Sequence, residues 1–245
     1  MTRVSLVTGA SRGIGRATAL RLANDGHDVV VNYVEQEEAA RSVADQVEAL
    51  GRRSLAFRAD VGSPDEVRRM VEAASEDLGP VTILVNNAGI YRRVTVDELV
   101  PERWERTLAV NLTGAFHAIR AVLPGMRKAG WGRIVNVSSQ VGLRGTDHGA
   151  DYAASKAGLL GLTKAIALEA ADDGITVNAV APGTIETDII KDYTREDREA
   201  RHRAIPLGRI GLPEEVASMI SYLTSEEARY ITGATFHVNG GYLIV

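Results

Sequence analysis

The 245-residue chain contains no cysteine, which excludes disulfides, thiolate catalysis and sulfur-ligated metals. It has no uninterrupted apolar run approaching the roughly 20 residues that span a bilayer. Segment 1–7 also lacks the apolar stretch and cleavage site of a secretory signal. The net charge of −4 argues against a surface built to bind nucleic acid. These absences predict a soluble, cytoplasmic protein with no nucleic-acid and no membrane partner.

No low-complexity linker, fixed-period repeat or shift in composition marks a domain boundary. Hydrophobic residues make up 45% of the chain and charged residues 24%, which is ordinary for a globular protein with a sizeable core. The sequence therefore predicts a single domain spanning residues 1–245.

Short apolar runs alternate with longer segments of helical periodicity. The runs that predict buried strands are Val4–Val7, Val29–Tyr33, Leu55–Ala59, Ile83–Val85, Ile134–Val137, Thr176–Val180 and Thr235–Val238. One helix is predicted to begin after Ser63 as its cap, with Pro64 at the first helical position and Glu66 completing a capping box. Strands that alternate with helices of this length predict an α/β fold, a Rossmann-type doubly wound parallel sheet with helices on both faces.

A Gly-x-x-x-Gly-x-Gly pattern at Gly9, Gly13 and Gly15 follows the first predicted strand and precedes a helical segment. Glycines let backbone N–H groups approach a pyrophosphate, and the positive end of the following helix attracts the same group. A structural turn would explain such a pattern on its own. Its position between the first strand and the first helix of a βαβ array favours dinucleotide binding.

The second predicted strand ends at Asn32 and Tyr33, with no carboxylate until Glu35. Sites for NAD usually place an acidic residue there to hold the ribose 2′-hydroxyl. A 2′-phosphate would be repelled by an acid and attracted by a cation, and Arg12 in the glycine loop could supply one. Arg12 could instead be a solvated loop residue, so the missing carboxylate is the firmer ground for predicting NADP(H).

Tyr152 and Lys156 stand four residues apart in a segment of helical composition, which places them on one helix face. A free tyrosine has a pKa of about 10, and a fixed ammonium nearby would lower that pKa toward the working range of an acid–base catalyst. The alternative is an amphipathic helix with two snorkelling side chains. Ser139 follows the strand Ile134–Val137, and ligands of open parallel sheets bind at the carboxyl ends of strands. We therefore expect Ser139 to face the same crevice as the glycine loop.

Together these motifs resemble those of the short-chain dehydrogenase/reductase family. The resemblance spans essentially the whole chain. The matching motifs are the glycine loop after Thr8, Asn86-Asn87-Ala88-Gly89, Asn111, Ser139, Tyr152-x-x-x-Lys156, Asp60-Val61, the segment 182–187 and the segment 238–241. For Asn86 and Asn87, strand-end capping is the structural alternative.

The resemblance implies a division of roles. Tyr152 would give a proton to the carbonyl oxygen during reduction or accept one during oxidation, and Ser139 would hydrogen-bond that oxygen. Lys156 would lower the pKa of Tyr152 and hold the nicotinamide ribose, while Asn111 would support a water chain to Lys156. The cofactor would supply the hydride, and no metal is required. The implied cofactor-binding residues are Gly9, Ser11, Arg12, Gly13, Ile14, Gly15, Asn32, Tyr33, Asp60, Val61, Asn87, Ala88, Gly89, Tyr152, Lys156, Pro182, Gly183, Ile185 and Thr187.

Residues 184–211 form a stretch dense in charge. Charge alone favours a solvated helical insertion at the surface, whereas the resemblance implies a substrate lid with hinge freedom at Gly208 and Gly211. Members of the family usually form tetramers, so the resemblance also implies a homotetramer.

Within the family, the sequence is most similar to bacterial 3-oxoacyl-acyl-carrier-protein reductases, which implies NADPH-dependent reduction of a 3-oxoacyl thioester in fatty-acid biosynthesis. A free alcohol, sugar, steroid or polyketide-type ketone is the alternative substrate class. A non-catalytic nucleotide sensor is a third reading, against which intact Ser139, Tyr152 and Lys156 argue. Reductases of this type hold the acidic carrier protein with arginines near two helix ends. The matching positions here carry Arg127 and Lys128 at one end, but Asp172 and Asp173 at the other, where they would repel such a partner. Docking of an acyl carrier protein is left open by the sequence.

Overall fold

The computed structural model describes residues 2–244, and its centre is one parallel sheet with the strand order β3-β2-β1-β4-β5-β6-β7. Its strands are β1 (Val4–Val7), β2 (Asp28–Tyr33), β3 (Ser54–Arg58), β4 (Val81–Asn86), β5 (Gly132–Val137), β6 (Ile175–Pro182) and β7 (Thr235–Val238). All the predicted strands are confirmed, with ends that differ by a few residues. The largest extensions, of three residues each, are in β4 and in β6, whose eight residues are all buried. The reversal of strand order between β1 and β4 is the switch point at which open α/β sheets bind ligands.

Helices cover both faces of the sheet, which confirms the predicted fold class. They are α1 (Gly13–Asn24), α2 (Glu37–Ala49), α3 (Pro64–Asp77), α4 (Pro101–Leu108), α5 (Gly114–Ala129), α6 (Val141–Arg144), α7 (Ala150–Glu169), α8 (Arg195–Ala204) and α9 (Pro213–Thr224). One core packs α3, α5 and α7 against the sheet, around side chains such as Met70 and Ile119. A second core packs α1, α2 and α9 against the other face, around Leu22, Val47 and Ile220. Within residues 2–244, no helix combines the length and apolar character required to cross a membrane.

Helix α3 begins as predicted, because the Ser63 hydroxyl accepts the N–H of Glu66 at 3.4 Å. The reciprocal half of the predicted capping box is wrong. The Glu66 carboxylate accepts the backbone N–H of Asp60 at 2.9 Å instead of that of Ser63. Glu66 thus fixes the loop that follows β3, where the sequence places two cofactor contacts.

Residues 184–211 leave the sheet after β6 and return to it, and a parallel bridge between Ile185 and Gly211 closes the base of this excursion. The segment contains a short 3-10 helix, Asp188–Ile190, and α8, which has no buried residue. Three buried isoleucines, Ile190, Ile205 and Ile210, form a small separate core beneath it. The segment therefore combines an exposed helix with a small buried core.

Candidate active site

A cleft lies at the carboxyl ends of the central strands, where the sequence predicts the crevice. The predicted site residues that line it are Ile14, Asn87, Gly89, Ser139, Tyr152, Lys156, Pro182, Gly183, Ile185 and Thr187. The structure therefore brings together residues from the glycine loop, from the ends of β4, β5 and β6, and from α7.

The glycine loop packs so closely that side chains are excluded from it. Gly9 and Gly13 have φ of +61° and +54°, which non-glycine residues rarely adopt. A Cβ on Gly15 would lie 2.3 Å from the Gly9 carbonyl oxygen and 2.5 Å from Asn87 Nδ2. Arg12, the residue before α1, makes no side-chain cap, so the first N–H groups of the helix are left for another acceptor. The backbone here is a cradle of the kind that accepts a pyrophosphate.

Asparagines hold this cradle in place. Asn87 Nδ2 donates to the carbonyl oxygens of Thr8 at 2.9 Å and Gly9 at 3.0 Å. Asn86 Nδ2 donates to Asn136 Oδ1 at 2.8 Å, across the β4–β5 pair. Asn87 therefore caps the end of β1, as strand-end capping expects, whereas Asn86 pairs with the side chain of Asn136.

Asn32 lies behind the glycine loop. Its Oδ1 accepts the Gly9 N–H at 3.1 Å, and its Nδ2 donates to the Ala59 carbonyl at 2.9 Å. The side chain is buried, with 1% of its surface exposed. Asn32 thus ties together the ends of three strands, a role that the sequence did not indicate.

Asp60 and Val61, which are also expected at the adenosine end of the cofactor, lie in the loop after β3. Asp60 forms an ion pair with Arg106 at 2.8 Å, and its Oδ1 accepts the Gly62 N–H at 2.9 Å. Val61 is buried. A Cβ on Gly114 would lie 2.7 Å from Val61 Cγ2, which explains the small residue at the start of α5.

Tyr152 and Ser139 meet in the cleft, as predicted. Both side chains line the cleft, and the ring of Tyr91 packs edge-on against that of Tyr152 at a centroid distance of 5.0 Å. Ser139 Oγ accepts the Val141 N–H at 3.1 Å. Burial raises the pKa of Tyr152 to about 12, and the nearby Ser139 side chain opposes this shift only in part. The phenol is therefore protonated near neutral pH.

Lys156 is buried one helical turn from Tyr152. Its Nζ donates to the Val137 carbonyl at 2.8 Å and lies 5.7 Å from the centroid of the Tyr152 ring. Burial lowers the pKa of Lys156 to about 8. The expectation that this ammonium brings the tyrosine pKa down is wrong for this arrangement, because desolvation of the phenol outweighs any attraction and the ammonium is directed at a backbone carbonyl.

Asn111 occupies a single turn of π-helix, Ala109–Thr113, between α4 and α5. Such turns interrupt helices at functional sites. Asn111 Oδ1 accepts the Ile90 N–H at 2.8 Å, and Nδ2 donates to the Ile90 carbonyl at 3.0 Å and to Ser155 Oγ at 3.1 Å. The position of a Cβ on Gly89 would be 3.5 Å from both Asn111 Oδ1 and Lys156 Nζ. Asn111 and Lys156 therefore both lie close to Gly89, which has no side chain to separate them.

The sequence missed the residues of the outer cleft, which come from segments without a motif. They are Tyr91, Gln140, Val141, Arg144, Thr146, His148, Ile189, Ile190, Tyr193 and Arg201. The only available signal was the position of 184–211 after the strand that ends at Pro182, which pointed to a segment and not to particular side chains.

Comparison with known proteins agrees with this geometry. Residues 9–243 match the protein-family model described as Enoyl-(Acyl carrier protein) reductase. The chain is 44% identical over 241 residues to the 3-oxoacyl-[acyl-carrier-protein] reductase FabG of Staphylococcus aureus, covering 98% of each chain. It is 44% identical over 243 residues to the reductase of the same name from Vibrio cholerae, covering 99% of this chain and 98% of the relative. It is 42% identical over 239 residues to Nodulation protein G of Azospirillum brasilense, covering 98% and 97%. This similarity along nearly the whole chain shows that the protein belongs to the short-chain dehydrogenase/reductase family, whose oxidoreductases act on C=O and CH–OH groups.

Proposed function

We propose that this enzyme is NADP(H)-dependent and reduces a ketone to a secondary alcohol by hydride transfer, with a 3-oxoacyl thioester as the leading substrate. The observation that carries the proposal is that Ser139, Tyr152 and buried Lys156 line one cleft, which Ile14 of the glycine loop also lines. Two relatives that are 44% identical to the chain are named 3-oxoacyl-[acyl-carrier-protein] reductase, and this name supports a thioester substrate. The alternative is a free alcohol, sugar, steroid or polyketide-type ketone.

The residues present fit a nicotinamide dinucleotide. The first turn of α1 has neither a side-chain cap nor an acidic residue that would repel phosphate. The end of β2 carries no carboxylate either, which supports a 2′-phosphate. The residues that would hold the cofactor are those of the glycine loop, the Asn87–Gly89 turn, Tyr152, Lys156 and the segment 182–187. When bound, the cofactor supplies the hydride.

The chain's own residues supply position and a proton. A carbonyl oxygen placed beside Ser139 and Tyr152 accepts a hydrogen bond from each hydroxyl, and these bonds strengthen as negative charge develops on the oxygen. As hydride reaches the carbonyl carbon, the Tyr152 O–H bond breaks and its proton goes to that oxygen, which leaves the alcohol and a phenolate. We propose that Lys156 then returns a proton to the phenolate, and that water held near Asn111 reprotonates Lys156.

Carrier-protein docking receives no support at the two helix ends considered above. Arg127 is already paired with Asp173 at 2.8 Å and with Glu169 at 3.1 Å. Its charge is therefore largely neutralised within the chain, next to carboxylates that would repel an acidic partner. We propose that the substrate reaches the cleft as a smaller molecule, such as a coenzyme A thioester or a free keto compound.

The proposal includes a single domain, a substrate lid at residues 184–211 and a cytoplasmic homotetramer. The bridge between Ile185 and Gly211 supports the lid, because it lets the segment move as one unit about its base. Exposed apolar side chains on the long helices support an oligomer, since Phe116 of α5 and Leu168 of α7 leave 43% and 84% of their surface exposed.

Initial rates with a panel of ketones and thioesters test the function. We expect NADPH to support reduction of acetoacetyl thioesters at least about ten-fold faster than NADH, because one well-made contact to the 2′-phosphate contributes on that order. Oxidation of free alcohols without any thioester reduction would favour the alternative class. Binding of NADPH with no turnover of any ketone or alcohol would overturn the proposal.

A further inference from the structure

The charged side chains that line the cleft are all cationic. Within residues 2–244 they are Arg144, Lys156 and Arg201, and no aspartate or glutamate is among the cleft residues. Lys156 is directed at the Val137 carbonyl and belongs to the catalytic group. Arg144 and Arg201 remain, and neither has a part in the proposed reaction.

Neither guanidinium is neutralised by the part of the chain that the structure describes. Arg201 donates one hydrogen bond, to the Tyr242 hydroxyl oxygen at 3.2 Å, and Arg144 makes no side-chain hydrogen bond there. Other arginines of the same excursion are paired. Arg198, on the same helix as Arg201, holds both oxygens of Glu186 at 2.7 and 2.9 Å.

Tyr242 brings the two guanidiniums together. The guanidinium carbon of Arg144 lies 5.1 Å from the centroid of the Tyr242 ring, and that of Arg201 lies 6.0 Å from it. A cation–π contact at a partly exposed ring contributes only about 0.5–1 kcal/mol, whereas two like charges in one pocket repel each other. Both arginines line the cleft, and planar guanidinium groups match the oxygens of a carboxylate or a phosphate.

The pair lies on the opposite side of the sheet from the proposed 2′-phosphate site. Arg144 ends the helix after β5 and Tyr242 follows β7. The adenosine end of a dinucleotide belongs near β2, which is three positions from β5 and five from β7 in the strand order. The cofactor's phosphates therefore do not account for the two arginines. Ser139 lies two residues before α6 and Arg144 is its last residue, and both line the cleft. Apolar residues such as Val141, Ile190 and Tyr193 line the same cleft.

We propose that the ketone substrate carries an anionic group, a carboxylate or a phosphate, that Arg144 and Arg201 bind while its carbonyl lies at Ser139 and Tyr152. An apolar stretch of the substrate would join the two ends. This inference names the substrate class and rests on the proposed function.

Matched ketones test it. Wild-type enzyme is assayed with 5-oxohexanoate and its methyl ester, and with acetoacetyl-coenzyme A and its N-acetylcysteamine analogue, which lacks the phosphates. We expect kcat/KM to favour the anionic member of at least one pair by about ten-fold or more, since a charge-assisted bond contributes on that order. The pair that shows the preference identifies a carboxylate or a phosphate as the bound anion.

Variants assign that preference to the arginines. Arg144→Gln and Arg201→Gln should each reduce the ratio of anionic to neutral kcat/KM, and the double variant should bring it near one, with the rate on the neutral ketone retained. Arg69→Gln, an exposed position on α3, makes the same change in net charge and should leave the ratio unchanged. Reduction of neutral and anionic ketones at equal kcat/KM in wild type, or a ratio that survives the double variant, would overturn the inference while the proposed function stands. Failure to reduce any ketone would remove both.

Discussion

Arg12 and Asp188 form an ion pair, with Arg12 Nη1 2.8 Å from Asp188 Oδ2, that joins the glycine loop to the segment after β6. More than half of each side chain is exposed. An ion pair of this exposure contributes about 0–1 kcal/mol, so it opens readily. Arg12, which is expected to attract a 2′-phosphate, is thus held by the segment 184–211, which is expected to cover the substrate.

The first prediction concerns this ion pair. Arg12→Gln should weaken NADPH binding by about ten-fold, because a charge-assisted contact is lost, and should leave NADH binding nearly unchanged. Asp188→Asn should strengthen NADPH binding by about two- to five-fold, because Arg12 is released from an exposed pair. Fluorescence titration with both cofactors measures these affinities. Arg68→Gln, which removes another exposed, paired arginine, is the control. Equal losses for NADPH and NADH on Arg12→Gln would show that Arg12 does not read the 2′-phosphate.

The second prediction concerns the proton donor. Tyr152→Phe should lower kcat for ketone reduction by about 10²–10⁴-fold, because a positioned acid contributes on that order. The cofactor should still bind within about two-fold of wild type, since the ring and its packing against Tyr91 are retained. Single-turnover assays and cofactor titration on the same preparation separate the two effects. A variant that keeps most of its turnover would mean that another group donates the proton.

The third prediction concerns the pH dependence of reduction. The pKa of Tyr152 is raised to about 12, so the donor keeps its proton throughout the usual assay range. The pKa of Lys156 is lowered to about 8, so its charge is lost as the pH rises through that value. We expect the rate of reduction at saturating NADPH to fall above about pH 8. A rate that stays constant up to pH 10 would show that reduction does not depend on the charge of Lys156.

The fourth prediction concerns stability. The pKa of Lys156 lies below its ordinary value of 10.5, so the unfolded chain binds more protons than the folded chain between about pH 8 and 10.5. In that window, this group makes the folded state more stable as the pH rises. The free energy of unfolding of wild type relative to Lys156→Met should therefore increase from pH 8 to pH 10, by up to about 3 kcal/mol. Urea unfolding at several pH values measures the difference. The substitution also alters the contact with the Val137 carbonyl, but this effect on stability is independent of pH and cancels when pH values are compared. A difference in unfolding free energy that does not change with pH would contradict the lowered pKa of Lys156.

The fifth prediction concerns the glycine cradle. Gly15→Ala would place a Cβ 2.3 Å from the Gly9 carbonyl oxygen, so the loop must shift, and we expect a loss of about 1–3 kcal/mol in stability together with weaker cofactor binding. Gly161→Ala in α7 is the control, because no atom lies within 4 Å of its new Cβ. It should stabilise the helix by about 0.5–1 kcal/mol and leave cofactor binding unchanged. Thermal unfolding and NADPH titration check both variants.

The fold could be predicted from the sequence because parallel strands buried on both faces are continuous apolar runs. Val4–Val7, whose four residues are all buried, has the predicted ends for this reason. The inner site could be predicted because its residues stand in motifs with fixed spacing, such as Tyr152 and Lys156.

The remainder depends on long-range packing that spacing does not encode. Arg201 and Tyr242 are 41 residues apart, and only the fold shows that they meet beside Arg144. The direction of the Tyr152 pKa shift also could not be predicted from spacing. A nearby ammonium alone would lower this pKa, whereas burial raises it. The predicted capping partner of Glu66 is wrong for a similar reason, since the competing donor, the backbone N–H of Asp60, lies outside the local pattern.

The buried Asn32 has a consequence for cofactor exchange. An aspartate at position 32, the obvious substitution for recruiting NAD, would keep an acceptor for the Gly9 N–H but would remove the donor that serves the Ala59 carbonyl. It would also place a negative charge in a site where 1% of the side chain meets solvent. Redesign of the dinucleotide preference therefore has to begin with the exposed Arg12. Asn32 supports the glycine loop, and the new cofactor would need that loop as well.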